Sequence, residues 1–319
     1  MPGQTAYPQG TLNINGGTVQ ATNVVGLGGV STINLNSGLL DLQFGQPAPG
    51  QLTGISTLNI GAESTGDPAQ LANAASITVS NPIVIAPNGA LAGNTVITSQ
   101  GLTVNGTLSP GMSGPGSMTN NGPLTFGAGG DMVITVQDAL AGPGLGWSFL
   151  NDAGAINIVA TAGNPFTLSL QTIGLAANFD SHTSYDWVVA TATGGIANFD
   201  PTLFAVDDSL FANALGGGYF YVRTNNNSLI VSFTNPPTAV AFNSVAVSGA
   251  SRSDLVFSGA GGSPLTPYYL RSSTNLALPL SQWQTNASNQ FDASGNFSLT
   301  VTGAIDPAVP RRFYRLQTQ

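Results

Sequence analysis

The chain has 319 residues, enough for two or three domains and a substantial core. Only 6% of them are charged and every basic residue is an arginine, so Gly, Asn, Ser and Thr supply the polarity that charged residues supply in an ordinary soluble domain. The net charge of −8 and the lack of any cation before Arg223 argue against nucleic acid or an anionic lipid surface as a partner, and the absence of cysteine excludes a disulfide framework and thiol chemistry.

The opening MPGQTAYPQG has neither a cationic nor an apolar stretch of the kind a signal peptide needs. No apolar run approaches the roughly 20 residues of a membrane span, so no membrane insertion is expected. From there to residue 126, short alternating pairs recur: Leu12/Ile14, Ile33/Leu35, Leu58/Ile60, Ile77/Val79, Leu102/Val104 and Leu124/Phe126. Their first positions are 21, 25, 19, 25 and 22 residues apart, with further strand-like runs such as PIVIAP and TVITS between them. A drifting period in the low twenties, made of short strands broken by Gly and Asn, predicts the stacked coils of a parallel β-helix. A leucine-rich repeat would need a leucine framework in its return segments, which are here rich in Gly, Pro and β-branched residues. Only LANAAS, at 71–76, could form a helical turn. Asn13, Asn15, Asn34, Asn36 and Asn59 are expected at coil corners, where asparagine tolerates left-handed backbone. Pro110-Gly111 and Pro115-Gly116 read as enforced turns. They lack the strand-to-helix context and following lysine of a phosphate-binding loop.

Aromatic content then rises. Tyr7 and Phe44 are the only aromatic residues before Phe126, whereas the remainder holds all three tryptophans. DMVITV, AINIVA, FTLSLQTI, DWVVATA, YFYVR and SLIVSF read as strands, the last two joined by a hairpin loop at NNNS. ANFDPTLFAVDDSLFANALGGG has room for a helical turn or two. We expect 127–234 to be a β-sheet domain that caps the open end of the solenoid. TNPPTAV at 234–240 reads as a linker, since a Pro-Pro pair cannot occupy a central strand. Beyond it, AFNSVAVSG, SDLVFSG, PYYLRSS, QWQTNAS, FSLTVTG and RRFYRLQ predict a small antiparallel sandwich over 235–319. The C-terminal 97 residues hold all six arginines, Arg223, Arg252, Arg271, Arg311, Arg312 and Arg315, against Asp254, Asp292 and Asp306. An acidic front and a mildly basic rear allow end-to-end contact between copies.

Residues that could carry chemistry are few. His182, the single histidine, lies near Asp180, Ser181 and Asp186, but closeness in sequence does not make a nucleophilic triad, and one histidine without cysteine makes a poor zinc site. Asp41, Glu63 and Asp67 are the acids of the solenoid segment, dispersed and without cations, so a paired-carboxylate glycosidase or an eliminating lyase is not expected there. Asp292, Ser294 and Asn296 alternate as in a calcium loop, yet no bidentate acid follows and an ordinary turn explains them. Trp147, Trp187 and Trp283 read first as buried anchors and second as sugar-stacking platforms. Isopeptide cross-links need lysine and are excluded. No catalytic, metal or cofactor residue is therefore assigned, and the binding residues are unknown.

GTLSPGMSGPGSMTNNGPLTF at 106–126 resembles the signature of autotransporter-associated β-strand repeat proteins, G-x-L-x-P-G-x-S-x-P-G-x-x-T followed by G-x-L-x-F/L. SFLNDAGAINIVATAGNPFTL, GGGYFYVRTNNNSLIVSF and the set STNLALPLSQWQ, FDASGNFSLT and RRFYRL are similar to segments downstream of that motif in large secreted repeat proteins of environmental bacteria. The resemblance implies an exported, right-handed parallel β-helix used for surface display, adhesion or structure. The chain ends LQTQ, without the terminal aromatic residue of a membrane barrel, so barrel-mediated export is not expected. The expected fold is all-β: a right-handed parallel β-helix over 1–126, a β-rich capping domain over 127–234 and a sandwich over 235–319. The expected function is that of a non-enzymatic extracellular or cell-surface structural protein that associates with copies of itself, as a filament or fibre subunit. A glycan-binding adhesin is the second reading and a carbohydrate-active enzyme the third.

Overall fold

The structure is a computed structural model that describes residues 8–43, 48–62, 66–235, 240–262 and 265–318. The chain divides into two compact units, residues 1–235 and 236–319, and the described residues of both are all-β apart from two short 3-10 turns.

In the first unit β1 (Gln9–Gln20), β2 (Asn23–Val25) and β3 (Val30–Asp41) open a stack of coils. Coils of three strands come next: β4 (Gly50–Ile55), β5 (Thr57–Ile60) and β6 (Ala69–Ala72), then β7 (Ala74–Val79), β8 (Ile83–Ile85) and β9 (Gly89–Gly93). The stack continues with β10 (Val96–Thr98), β11 (Leu102–Val104) and β12 (Thr107–Pro110), then β13 (Ser117–Asn120), β14 (Leu124–Phe126) and β15 (Asp131–Asp138). β16 (Phe149–Asp152), β17 (Ile156–Ile158) and β18 (Phe166–Ala177) precede β19 (Tyr185–Ala192), β20 (Ile196–Ala197) and β21 (Phe204–Leu210). β22 (Tyr219–Asn225) and β23 (Ser228–Thr234) form a final hairpin. Each strand pairs in parallel with its counterpart one coil away, which gives three ladders, β2 to β19, β3 to β20 and β3 to β21. β3 serves two of them because Thr32–Leu35 pairs with β5 and Gly38–Asp41 with β6. This is a β-helix-like fold.

Alternation along each short strand sends every second side chain inward, and parallel register stacks those side chains into columns. One column runs Leu35, Ile60, Ile85, Val104, Phe126, Ile158. Another runs Leu40, Leu71, Leu91, Leu108, Met132, Leu168. All of these side chains are buried. Toward the C-terminal end the columns change from aliphatic to aromatic. Phe126 stacks on Phe166 with ring centroids 4.2 Å apart, and Phe179, Tyr185, Trp187, Phe211, Phe220 and Phe233 close the interior. The hairpin β22–β23 adds to β19 antiparallel and covers that side of the stack.

Several sequence expectations change in detail. Ile77 and Val79 do not share a column with Leu58 and Leu102: β7 pairs with β4 and β10 on a different ladder, and Ile83 and Ile85 of PIVIAP take that place. The exchange preserves the overall period, because the step of 25 from Asn59 to Val84 and the step of 19 from Ile83 to Leu102 only swap order. LANAAS is not helical. It is the end of β6 and the start of β7, turned by Asn73 at φ 58°. The long segment around 197–218 holds one 3-10 turn, Pro201–Leu203, capped by the Asp200 side chain on Thr202 N, and then β21. No break in the ladders separates residues 127–210 from those before 126: β14 pairs with β17 and β15 with β18, so the coils continue and only lengthen. Gly111 does adopt positive φ, 97°, but Gly116 does not; a Cβ there would collide with the Asn94 side chain, so close packing is what requires glycine.

The second unit contains β24 (Ala241–Ser248), β25 (Asp254–Ala260), β26 (Pro267–Ser273), β27 (Gln284–Gln290), β28 (Phe297–Val301) and β29 (Phe313–Thr318). They form two antiparallel sheets ordered β24-β25-β28 and β27-β26-β29, which enclose Phe257, Tyr268, Leu270, Phe291 and Phe297 as a sandwich core. Pro236 and Pro237 of the expected linker lie outside the described residues.

Candidate functional site

The residues weighed for chemistry are held apart. His182 is exposed, and its Nδ1 lies 3.0 Å from Asp180 Oδ1, which also accepts the His182 backbone N–H; that N–H is the main reason the Asp180 carboxyl is held below its ordinary value. Asp186 belongs to a different cluster. Its Oδ1 accepts from Ser232 Oγ at 2.6 Å, its Oδ2 pairs with Arg223 Nη2 at 2.7 Å, and Arg223 Nε donates to Ser232 Oγ at 3.0 Å. Asp41 accepts from Asn73 Nδ2 at 2.9 Å, which lowers its pKa and uses the carboxylate to brace a corner. Glu63 lies outside the described residues. Asp292 accepts the backbone N–H groups of Ser294 and Asn296, both at 2.8 Å, as the side chain of a tight turn does. Among the described residues no three His, Cys, Asp or Glu side chains are grouped to hold a metal.

All three tryptophans are buried, with exposures of 7%, 1% and 8% at Trp147, Trp187 and Trp283, so their faces are not platforms for a sugar. Their indole N–H groups donate to Val188 O, Ala139 O and Leu278 O. In the first unit, exposed rings are instead found at Tyr219 and Tyr221, whose centroids are 6.1 Å apart on β22, alongside the Arg223–Ser232–Asp186 network. Alternation explains this placement: Phe220 and Val222 face the core, so Tyr219, Tyr221 and Arg223 face out.

The solenoid's two ends differ. β1 is 12 residues long and pairs only with β3, with Ile14 as its single buried residue, so one whole edge carries no strand among the described residues. Leu12, Val19, Val25, Leu27 and Val30 are exposed around it, Leu27 almost completely at 93%. Along the outer face an asparagine ladder runs from coil to coil: Asn34 Nδ2 donates to Asn13 Oδ1 at 2.7 Å, and Asn59 Nδ2 to Asn34 Oδ1 at 2.8 Å. At the other end the aromatic cluster fills the interior, leaving a cleft of about 500 Å³ between Phe204 and Val206 on one side and Phe220 and Val222 on the other.

One buried polar pair was not foreseen. Asn120 and Asp152 occupy an inward column that otherwise runs Leu52, Ile77, Ile97 and, beyond them, Ala192. Asn120 Nδ2 donates to Asp152 Oδ1 and to Gly122 O, each at 2.6 Å, while Asn120 Oδ1 and Asp152 Oδ2 have no protein partner. Burial raises the Asp152 pKa to about 6. In the sequence this pair sits in TNNG and LNDAG, which read equally well as turns.

The chain matches no protein-family model and no curated protein.

Proposed function

We propose that this chain is a non-enzymatic structural protein of the bacterial exterior that associates with copies of itself through the end of its solenoid. The observation that carries this reading is the 12-residue edge of β1, which has no strand beside it among the described residues, with its fringe of exposed aliphatic side chains. An open edge of that length presents a row of N–H and C=O groups that another strand can satisfy. In the first coils Asp41 is committed to corner hydrogen bonds with Asn73 and the Gln43 backbone, which does not favour its use as one of a catalytic carboxylate pair. Export and a surface location are inferred from the likeness of residues 106–126 to autotransporter-associated repeats. A head-to-tail contact between unlike ends propagates into a filament.

The test is sedimentation velocity with negative-stain imaging of the full chain across protein concentration and salt. Growth into linear assemblies supports the reading, and the double change Leu12→Lys with Val19→Lys on β1 should return the protein to monomers, because edge lysines block strand addition. Dispersed monomers under every condition would refute it.

A second reading, a glycan-binding surface, is favoured by Tyr219 and Tyr221 beside the Asp186–Arg223 pair, since an aromatic face next to planar polar groups suits a sugar ring. Glycan-array binding that disappears in Tyr219→Ala and Tyr221→Ala would favour it over the first.

A further inference from the structure

The sandwich unit contains a cavity of about 510 Å³ whose lining has an unusual order: four consecutive residues of β29 and its approach, Arg312, Phe313, Tyr314 and Arg315, all contribute. Successive residues of a strand point to opposite faces, so a cavity that touches all four runs along the strand's edge and not over one face. β29 is an edge strand, paired only with β26, so that edge carries no strand among the described residues. The loop between β26 and β27 also lines the cavity, through Leu276, Leu278, Leu280 and Trp283. Leu276 and Leu278 are exposed, at 62% and 38%.

Charge sets the second requirement. Arg271 and Arg315 stand directly opposite each other on β26 and β29, a like-charge pair that costs stability when nothing neutralises it. Among the described residues the ion pairs are His182–Asp180 and Arg223–Asp186, neither of which involves these arginines or Arg312. Arg271 Nη1 reaches the Trp283 carbonyl at 3.3 Å, while Arg271 Nε and the Tyr314 hydroxyl are buried without a hydrogen-bond partner. In a protein of net charge −8, this gathering of cations beside apolar surface is a local inversion.

We propose that this edge binds an extended acidic peptide strand of a partner protein. Its main chain pairs with the free edge of β29, its carboxylates meet Arg312 and Arg315, and its aliphatic side chains fill the leucine-lined cavity. A strand satisfies all three features at once. A lipid would leave the backbone edge unused, and a glycan would gain little from leucines. The proposal is independent of self-association, which the sedimentation experiment reads separately.

The test is fluorescence anisotropy of the full chain with a fluorescein-labelled peptide, Ala-Leu-Asp-Leu-Asp-Leu-Ala. Saturable binding is expected, weakened about tenfold or more by Arg312→Gln with Arg315→Gln, by raised salt, and by replacing both aspartates of the peptide with asparagine. N-methylation of alternate peptide amides should abolish it in one of the two registers, the signature of strand pairing. Circular dichroism of the double variant establishes that it folds, and Leu278→Asp, at an exposed position, provides a second route to loss of binding. The proposal is overturned if the asparagine peptide binds as tightly, if the arginine variant binds unchanged, or if only phosphatidylglycerol vesicles or polygalacturonate produce a signal.

Discussion

Replacing Asp152 with asparagine should stabilise the solenoid unit at neutral pH and leave it unchanged in acid. Asp152 is fully buried in an aliphatic column, and its pKa rises from 3.8 to about 6 because burial penalises the charged form. For a carboxyl whose folded pKa lies above its unfolded value, stability is complete below the unfolded pKa and declines as pH rises through the folded one. The window is therefore pH 4 to 6. Above it the ionised group costs the fold at most about 3 kcal/mol at 1.36 kcal/mol per pH unit, and partial solvent screening lowers this to about 1–3 kcal/mol. Asparagine removes the charge, keeps an oxygen for Asn120 Nδ2, and places an uncharged amide where the unpartnered carboxylate oxygen stands. Other shifted acids, such as Asp131, raised by burial, and Asp186, lowered chiefly by Ser232, are common to both proteins and cancel in the difference. Urea unfolding of the two proteins at pH 4, 5 and 7.5 gives the assay, with tryptophan fluorescence as the signal. A stability difference that is the same at pH 4 and pH 7.5 would refute the reasoning.

Three further substitutions probe the stack. Leu108→Ala empties a fully buried position between Leu91 and Met132 and should cost about 2–5 kcal/mol in urea unfolding. Gly111→Ala forces a side chain onto backbone at φ 97° and against the Gly114 carbonyl, so a loss of about 1–3 kcal/mol is expected by the same measurement. Asn34→Ala breaks two links of the exposed asparagine ladder, those to Asn13 and Asn59, and should cost about 1–2 kcal/mol, with no change in far-ultraviolet circular dichroism at 20 °C.

The β-helix-like fold was legible because its cause is local. Pairs such as Leu58/Ile60 and Leu102/Val104 alternate in short strands, and their spacing is the length of a coil. What spacing cannot tell is which of three ladders a pair belongs to, since every strand of a coil has the same pattern; this is why Ile77 reads as a member of the column that holds Ile83. The boundary expected at 126 came from the rise in aromatic residues. That rise marks a wider core in longer coils, from Leu124 to Ile156 and from Ile156 to Ile196, and not a new domain. The sandwich strands were legible from turn spacing. The cavity beside β29 was not, because Leu276, Leu278 and Arg312 meet only through the antiparallel pairing of β26 with β29.

A solenoid satisfies the edge of each strand with the next coil, so unsatisfied edges survive only at its ends. The two ends of this one are treated differently. At the C-terminal end the chain reverses into an antiparallel hairpin, and Phe220 and Phe233 turn inward into the cluster with Trp187 and Phe211. At the other end β1 keeps eleven of its 12 residues exposed, and the flanking Val25 and Leu27 stand in solvent. The hairpin covers only the ladder that ends in β19, and β20 and β21 remain terminal strands of the other two ladders among the described residues, so a head-to-tail contact would set the long edge of β1 against these shorter edges. Changes at β1 should therefore act on assembly, whereas changes in the aromatic cap, such as Phe233→Ala, should act on stability first, at about 3–5 kcal/mol. If Phe233→Ala left stability intact and dispersed the assemblies while the β1 lysines did not, the assignment of the two ends would be reversed.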